Sequence, residues 1–335
     1  VIITDRLSRR YTARDRTIDA VKGVSMRVDA GEIVGFLGPN GAGKTTTLRM
    51  LTTLLRPTAG TASIAGYDLH TAPREIRKRI GYVAQSGGAA QECTVADELE
   101  LQGRLYRLSK VHARRKAAEL VERFELGGLE RRRVRTLSGG QRRRLDIALG
   151  LVHSPDVVFL DEPSTGLDPQ SRANLWEHIR ALRDEQGVTV FLTTHYLDEA
   201  DALAGRLLVI DHGEIVAEGS PDELKARVSG DGVTVGVDDA DGSARAAATA
   251  VSGVDGVHEL SIADGTLEFR VPRGDVAIPE LIRAMDAAGV AMTSLHVHRP
   301  TLDDVFLTLT GRSLRDAEHS TEPAEQEGKE AEHAA

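Results

Sequence analysis

The run Gly38-Pro39-Asn40-Gly41-Ala42-Gly43-Lys44-Thr45-Thr46 fits the pattern G-x-x-x-x-G-K-S/T. It lies between an apolar run at 33–37 and a helical stretch at 45–55. Backbone N–H groups of such a loop, at a helix N-terminus, point at phosphate oxygens. Lys44 is then placed to reach β- and γ-phosphates, and the Thr45 hydroxyl to ligate Mg²⁺. Ala or Val at 38, 41 or 43 is expected to force a side chain where backbone must approach the ligand. A second run, Val157-Val158-Phe159-Leu160-Asp161-Glu162, reads as a buried parallel strand that ends in two carboxylates. Open α/β sheets bind ligands at that end. Asp161 is expected to hold Mg²⁺ through water, and Glu162 to polarise an attacking water. Adjacent strand residues point to opposite sides, so two roles for two neighbouring acids are compatible.

A third run, Leu137-Ser138-Gly139-Gly140-Gln141, precedes a helical stretch that reaches residue 152. Alone it reads as a Ser/Gly loop capping a helix. Placed between Gln85 and Asp161, it is the pentapeptide signature of the ABC ATPases, and the chain resembles that superfamily over roughly residues 1–225. The resemblance implies further roles. Gln85, in Gly81-Tyr82-Val83-Ala84-Gln85, is similar to the Q-loop glutamine, which serves both catalysis and Mg²⁺. Gly166-Leu167-Asp168 resembles the D-loop, His195 the switch histidine, and Tyr11 the aromatic that stacks on adenine. Read without the family, His195 is a structural histidine, Tyr11 a core or surface tyrosine, and Asp168 a cap for a helix opening at Pro169.

In the family the signature loop faces the phosphate loop of a second subunit. Ser138, the Gly139 and Gly140 amides and Gln141 are then expected to complete the γ-phosphate cage from across an interface. Phosphoryl transfer depends largely on positioning and electrostatic stabilisation, so splitting the donors makes hydrolysis conditional on closure. One copy of each motif implies a homodimer of two chains with two equivalent ATP sites.

Composition narrows the rest. The chain has 335 residues, 41% hydrophobic, with net charge −9 and one cysteine, Cys93. That length suffices for two domains. A single cysteine excludes an internal disulfide and gives secretion no support. No run approaches the ~18 apolar residues of a membrane span, and no signal peptide is read at the start. A transport role therefore calls for a separate integral membrane permease, with this chain peripheral on the cytoplasmic face of the membrane. Net acidity and a scarcity of aromatics (Phe 6, Tyr 5, Trp 1) argue against nucleic acid as a partner. Two basic clusters, Arg131-Arg132-Arg133 with Arg135 and Arg142-Arg143-Arg144, read as solvated helix faces, or else as attraction to nucleotide or an anionic membrane surface.

The positioning elements follow from periodicity. The fold class expected is α/β: a P-loop ABC ATPase domain with a parallel core, a β-subdomain and a helical subdomain at 86–136, spanning 1–228. Two stripes mark the first helix of that subdomain, Val95-Leu99-Gln102-Tyr106 and Leu101-Leu105-Leu108. Its surface is expected to receive the permease. Residues 137–225 alternate helix and strand, as a helix-covered parallel sheet requires. Ser229-Gly230-Asp231-Gly232 reads as a linker. Residues 229–312 then follow the order β-α-β-β-α-β, a small ferredoxin-like accessory domain. Its second helix is predicted to bury Ile278, Leu281, Ile282, Met285 and Ala288. The closing Leu302-Asp303-Asp304-Val305-Phe306 resembles the daunorubicin-resistance branch of the ABC ATPases. The Glu-rich stretch 313–335 is expected to be a disordered tail. The resemblance implies an ATPase that energises drug or antibiotic export. The alternatives are a lipid, polysaccharide or metabolite cargo, or a soluble ABC ATPase. The last usually carries tandem ATPase domains or long coiled-coil insertions, which this sequence lacks. Intact Glu162 and His195 disfavour a non-hydrolysing regulator.

Overall fold

A computed structural model describes residues 1–13, 16–228, 230–238, 243–263 and 265–311. The described chain separates into two compact units, Val1–Pro221 and Asp222–Gly311. In the first, the elements run β1 (Ile2–Ala13), β2 (Arg16–Val28), β3 (Ile33–Leu37), α1 (Lys44–Leu51), β4 (Ala59–Ile64), β5 (Tyr67–Asp68), α2 (Pro73–Arg79) and β6 (Ile80–Val83). Then come α3 (Val95–Leu105), α4 (Lys110–Arg123), α5 (Gly139–Leu151), β7 (Val157–Asp161), α6 (Pro169–Gln186), β8 (Thr189–Thr194), α7 (Leu197–Leu203), β9 (Arg206–Asp211) and β10 (Glu214–Gly219). Helix α8 (Pro221–Arg227) leads into the second unit.

The core sheet has the order β10-β9-β3-β8-β7-β6, parallel throughout except for the antiparallel edge pair β9–β10. Its central strands are apolar on both faces, as a helix-covered parallel sheet requires. Val158, Leu160, Val190 and Leu192 enter one core with α3, α5 and α6. Val157, Phe159, Phe191, Val34 and Phe36 enter the other, with α1 and the β1–β2 hairpin. Phe191 stands between Phe36 and Phe159, with ring centroids 5.5 and 5.8 Å away. Such tilted pairs contribute about 0.5–1.5 kcal/mol each beyond buried area. They stiffen three of the strands that deliver the site.

The helices match the predicted stretches with shifted ends. Helix α1 stops at Leu51, because Thr53 takes a positive φ of 64°. In α3 only one stripe is buried: Val95 and Leu99 lie in the core, whereas Leu101 and Leu105 are exposed.

The second unit carries β11 (Asp231–Val237), α9 (Ser243–Ser252), β12 (His258–Ala263), β13 (Thr266–Val271), α10 (Gly274–Ala287), β14 (Met292–His298) and α11 (Leu302–Thr310). Its antiparallel sheet has the order β12-β13-β11-β14, the arrangement of a ferredoxin-like unit. Two expectations need correction. Asp231 and Gly232 are not linker: they open β11, opposite Val271 and Arg270 on β13, and Asp231 also accepts the Gly274 N–H at 2.8 Å. Ladder pairing overrides a turn-like local composition. In α10 the buried face is Ala277, Leu281 and Met285, while Ile282 is exposed. Thr301 caps α11 through a capping box with Asp304, and Gly311 ends it at φ 74°. The expected tail, 313–335, lies outside the described residues, as does Ser229.

Candidate functional site

Four adjacent parallel strands, β3-β8-β7-β6, end on one edge of the core sheet. Register puts Leu37 beside Thr194, Asp161 beside Thr193, and Val83 beside Leu160. The residues just beyond those ends are the phosphate loop, His195, Glu162 and Gln85. Strands about 4.8 Å apart thus bring together side chains far apart in sequence.

The loop is shaped by the protein around it. A Cβ at Gly38 meets the Ile210 carbonyl oxygen at 2.2 Å, and one at Gly43, where φ is +103°, meets the Ala20 oxygen at 2.5 Å. The expectation that a larger residue there obstructs the ligand is therefore refined: at 38 and 43 it collides first with the chain's own backbone. Gly41 is held by conformation, at φ 75°. Pro39, Asn40, Ala42 and Thr46 complete the loop, and the Ala42 oxygen accepts the Gly213 N–H at 3.0 Å. Lys44, only 4% exposed, donates to the Gly38 and Pro39 carbonyls at 2.8 and 3.0 Å.

Asp161 and Glu162 occupy different settings. Asp161 accepts Thr193 Oγ1 at 2.7 Å and Thr45 Oγ1 at 3.2 Å, which pairs the two expected Mg²⁺ residues. Burial and the neighbouring Glu162 raise its pKa, and the two hydroxyls only partly offset this. Glu162 is separated from it by a backbone kink rather than by strand alternation alone: its φ is 44°, and its N–H donates to Thr193 O and Oγ1, both at 3.1 Å. Burial pushes the Glu162 carboxyl up, but His195, Lys44 and Thr165 outweigh it and hold the group below its ordinary value. Glu162 is therefore an anion at neutral pH. Its Oε1 lies 3.5 Å from Lys44 Nζ and 3.2 Å from His195 Nδ1, and its Oε2 accepts Gln85 Nε2 at 2.9 Å. The His195 contact is close but off the line of a hydrogen bond. Gln85 thus meets the carboxylate through its amide nitrogen. A Mg²⁺ role for Gln85 rests on the amide oxygen.

The other expected residues stand apart from this cluster. Ser138 caps α5, accepting the Gln141 N–H at 3.3 Å and donating its own N–H to Gln141 Oε1 at 3.1 Å. Ser138 and Gly139 are exposed, and Gly140 packs against Ser171. Asp168 caps α6 by accepting the Ser171 N–H at 2.9 Å and Oγ at 2.7 Å, so the helix-cap reading is realised. Tyr11 sits on β1 opposite Ile18, with the Arg9 guanidinium 4.6 Å from its ring centroid. Its strand partner β2 supplies Ala20 to the wall of the phosphate loop. Sequence reasoning missed Arg143 and Asp146. Both are buried and bonded to the Gln85 loop, although Arg143 sits in a run read as solvated. Their three-residue spacing on a helix that also buries Ile147 and Gly150 was the available signal. Arg131, Arg132, Arg133 and Arg135 are exposed, as expected.

The sheet, the phosphate loop on α1 and the acid pair at the end of β7 define a P-loop ATPase of the ABC class. Comparison with known proteins agrees. Residues 21–165 match the ABC transporter family, and residues 219–310 match the C-terminal domain of ATP-binding proteins of the DrrA1-3 type. The daunorubicin resistance ATP-binding protein DrrA3 of Streptomyces coeruleorubidus is 43% identical over 94% of this chain and 97% of its own length. The daunorubicin/doxorubicin resistance ATP-binding protein DrrA of Streptomyces peucetius is 45% identical over 92% and 93%. A dimeric ATP-binding cassette solved in a post-hydrolysis state with ADP and Pi superposes with TM-score 0.61, at 27% identity, over 66% of this chain and 98% of that one. The chain belongs to the ABC transporter family as an ATP-binding subunit of the drug-resistance type, and it is an ATPase.

Proposed function

We propose that two copies of this chain close around ATP and drive a separate membrane permease that exports a drug or antibiotic. The observation that carries the hydrolytic part is the setting of Glu162, a buried anion in contact with Lys44, Gln85 and His195. Each of those partners reaches it from a different strand end. Glu162 orients and polarises the attacking water, and Gln85 and His195 fix the carboxylate. Lys44 and the loop amides hold the β- and γ-phosphates.

The donor set suits Mg²⁺, a hard cation that takes oxygen ligands. The Thr45 hydroxyl and the Asp161 carboxylate already lie within 3.2 Å of each other, on a buried acid whose charge is disfavoured as it stands. Thr45 and Asp161 would hold the ion, which would supply neutralisation of charge on the phosphates. The exposed Ser138 loop and Asp168 are the groups offered to a second copy. The domain division proposed is an ATPase unit followed by an accessory unit that serves coupling. Among the described residues no helix is long and apolar enough to cross a membrane. The peripheral position proposed, against the permease on the cytoplasmic face, rests on the similarity to resistance ATP-binding proteins.

The drug-export part rests on the resistance proteins to which the chain is similar. It is tested by expressing the chain with its permease in a drug-sensitive host. Resistance to an anthracycline is expected with the full chain, and none with Glu162→Gln. A chain ending at 228 is expected to bind ATP but confer little resistance. Full resistance from the Glu162→Gln chain contradicts the energising role.

A further inference from the structure

Helix α5 holds the Gln85 loop at two points. Arg143, 6% exposed, donates from Nη1 to the Ala84 oxygen at 2.6 Å and the Gln85 oxygen at 3.4 Å. Its Nε donates to the Pro163 oxygen at 2.7 Å, and its Nη2 to the Asp161 oxygen at 3.0 Å. The last two carbonyls belong to the residues on either side of Glu162. One turn further along α5, Asp146 Oδ1 accepts the N–H groups of Gly88 and Ala89 at 3.1 and 3.3 Å. Gly87 lets the loop close over this carboxylate: its φ is +73°, and a Cβ there lies 2.4 Å from Asp146 Oδ2.

Two facts set this pair apart from ordinary helix burial. All three guanidinium nitrogens of Arg143 bond backbone carbonyls, a use of the planar fork that a lysine ammonium cannot reproduce. The segments they join are those carrying Gln85 and Glu162, and the helix that bears Arg143 and Asp146 is capped by Ser138. The signature loop occupies the first turn of α5, and the clamp starts in its second.

We propose that Arg143 and Asp146 are positioning residues that lock the Gln85 amide and the Glu162 carboxylate to the signature helix. When the first turn of α5 engages nucleotide across a dimer, the water-orienting pair moves with it as one body. Both act through the backbone groups they bond. The proposal rests on the roles given above to Glu162 and Gln85.

The test uses the full chain carrying Arg143→Gln, Arg143→Lys or Asp146→Ala, with Glu162→Gln as control. The readouts are kcat and KM for ATP, equilibrium Mg²⁺–ATP binding, and amide hydrogen exchange. Arg143→Gln is expected to lower kcat about tenfold or more, with the ATP Kd within about threefold of the unsubstituted chain. Arg143→Lys recovers only part of the loss. Asp146→Ala speeds exchange at Gly88 and Ala89 by about tenfold and also lowers kcat. Where Arg143→Gln does not fold, the lysine and Asp146→Ala variants decide. The clamp is overturned by kcat unchanged in the Arg143 variants, by complete rescue with lysine, or by kcat and ATP affinity falling in parallel. Hydrolysis at the normal rate by Glu162→Gln overturns the underlying reading instead. An inactive Glu162→Gln beside active Arg143 variants overturns the clamp alone.

Discussion

Glu162→Gln is expected to lower ATP hydrolysis by about 10²–10⁴-fold, the usual contribution of a positioned general base, while Mg²⁺–ATP still binds. The amide keeps the volume of the carboxylate and an acceptor for Gln85 Nε2, now 2.9 Å from Oε2. It removes the negative charge that His195 and Lys44 stabilise in the buried site. On the role proposed for Glu162, the variant loses the ability to polarise water and keeps the shape that receives nucleotide. Phosphate release and equilibrium binding, measured on the same preparation, separate the two. Hydrolysis near the normal rate contradicts the assignment of Glu162.

Lys44→Ala is expected to act on binding itself. In the proposed role, loss of one charge-assisted hydrogen bond to phosphate, about 1.5–3 kcal/mol, lowers affinity by roughly 10–150-fold. A second effect adds to this. Nζ ties the Gly38 and Pro39 carbonyls together at 2.8 and 3.0 Å, so the loop loses an internal brace. It also leaves Glu162 without its buried cation, which raises the carboxyl pKa toward its desolvated value. The depressed pKa means ionisation of Glu162 favours the folded state above the ordinary carboxylate pKa, and that contribution is lost as pH falls. In the variant that contribution shrinks, and once the folded-state pKa passes the ordinary value it reverses, so that stability rises rather than falls with acidification. Calorimetric titration with Mg²⁺–ATP checks the affinity, and melting temperature followed between pH 7 and about 4 checks the linkage. An unchanged dissociation constant contradicts the phosphate-loop assignment.

Much of this site was legible because parallel strands announce themselves. The apolar run through Val157 to Leu160 is buried on both faces, and the acids follow where the strand ends. Lys44, Asp161 and Glu162 were readable from their motifs at strand ends, whereas Gln85 and His195 came from the resemblance to the ABC ATPases. Each follows a strand, and the sheet order turns four separate chain positions into one cluster. What sequence could not supply was the direction of individual side chains. The Arg142-Arg143-Arg144 run looks uniform, yet helical rotation buries Arg143 against carbonyls while Arg144 reaches Glu125 and Asn174. Periodicity gave α3 two apolar stripes and could not say which one faces the core. Asp231 and Gly232 have turn-like composition, but their pairing with β13 and β14 lies about forty and sixty-five residues away, beyond any local window. The left-handed φ of Glu162 is likewise set by Thr193 on the neighbouring strand, not by its own neighbours in sequence.

In the proposed dimer each ATP site is completed by the signature loop of a second copy. Molecular mass in solution tests it most directly. In Mg²⁺–ATP the Glu162→Gln chain should double its mass from 36.1 kDa, and in ADP it should remain single. Adding Ser138→Arg to the same chain puts a bulky cation on the exposed cap of α5. The double variant should bind ATP with little change and stay at the mass of one chain. An ATP-bound Glu162→Gln chain that never dimerises, or a Ser138→Arg variant that dimerises as readily, would contradict the account.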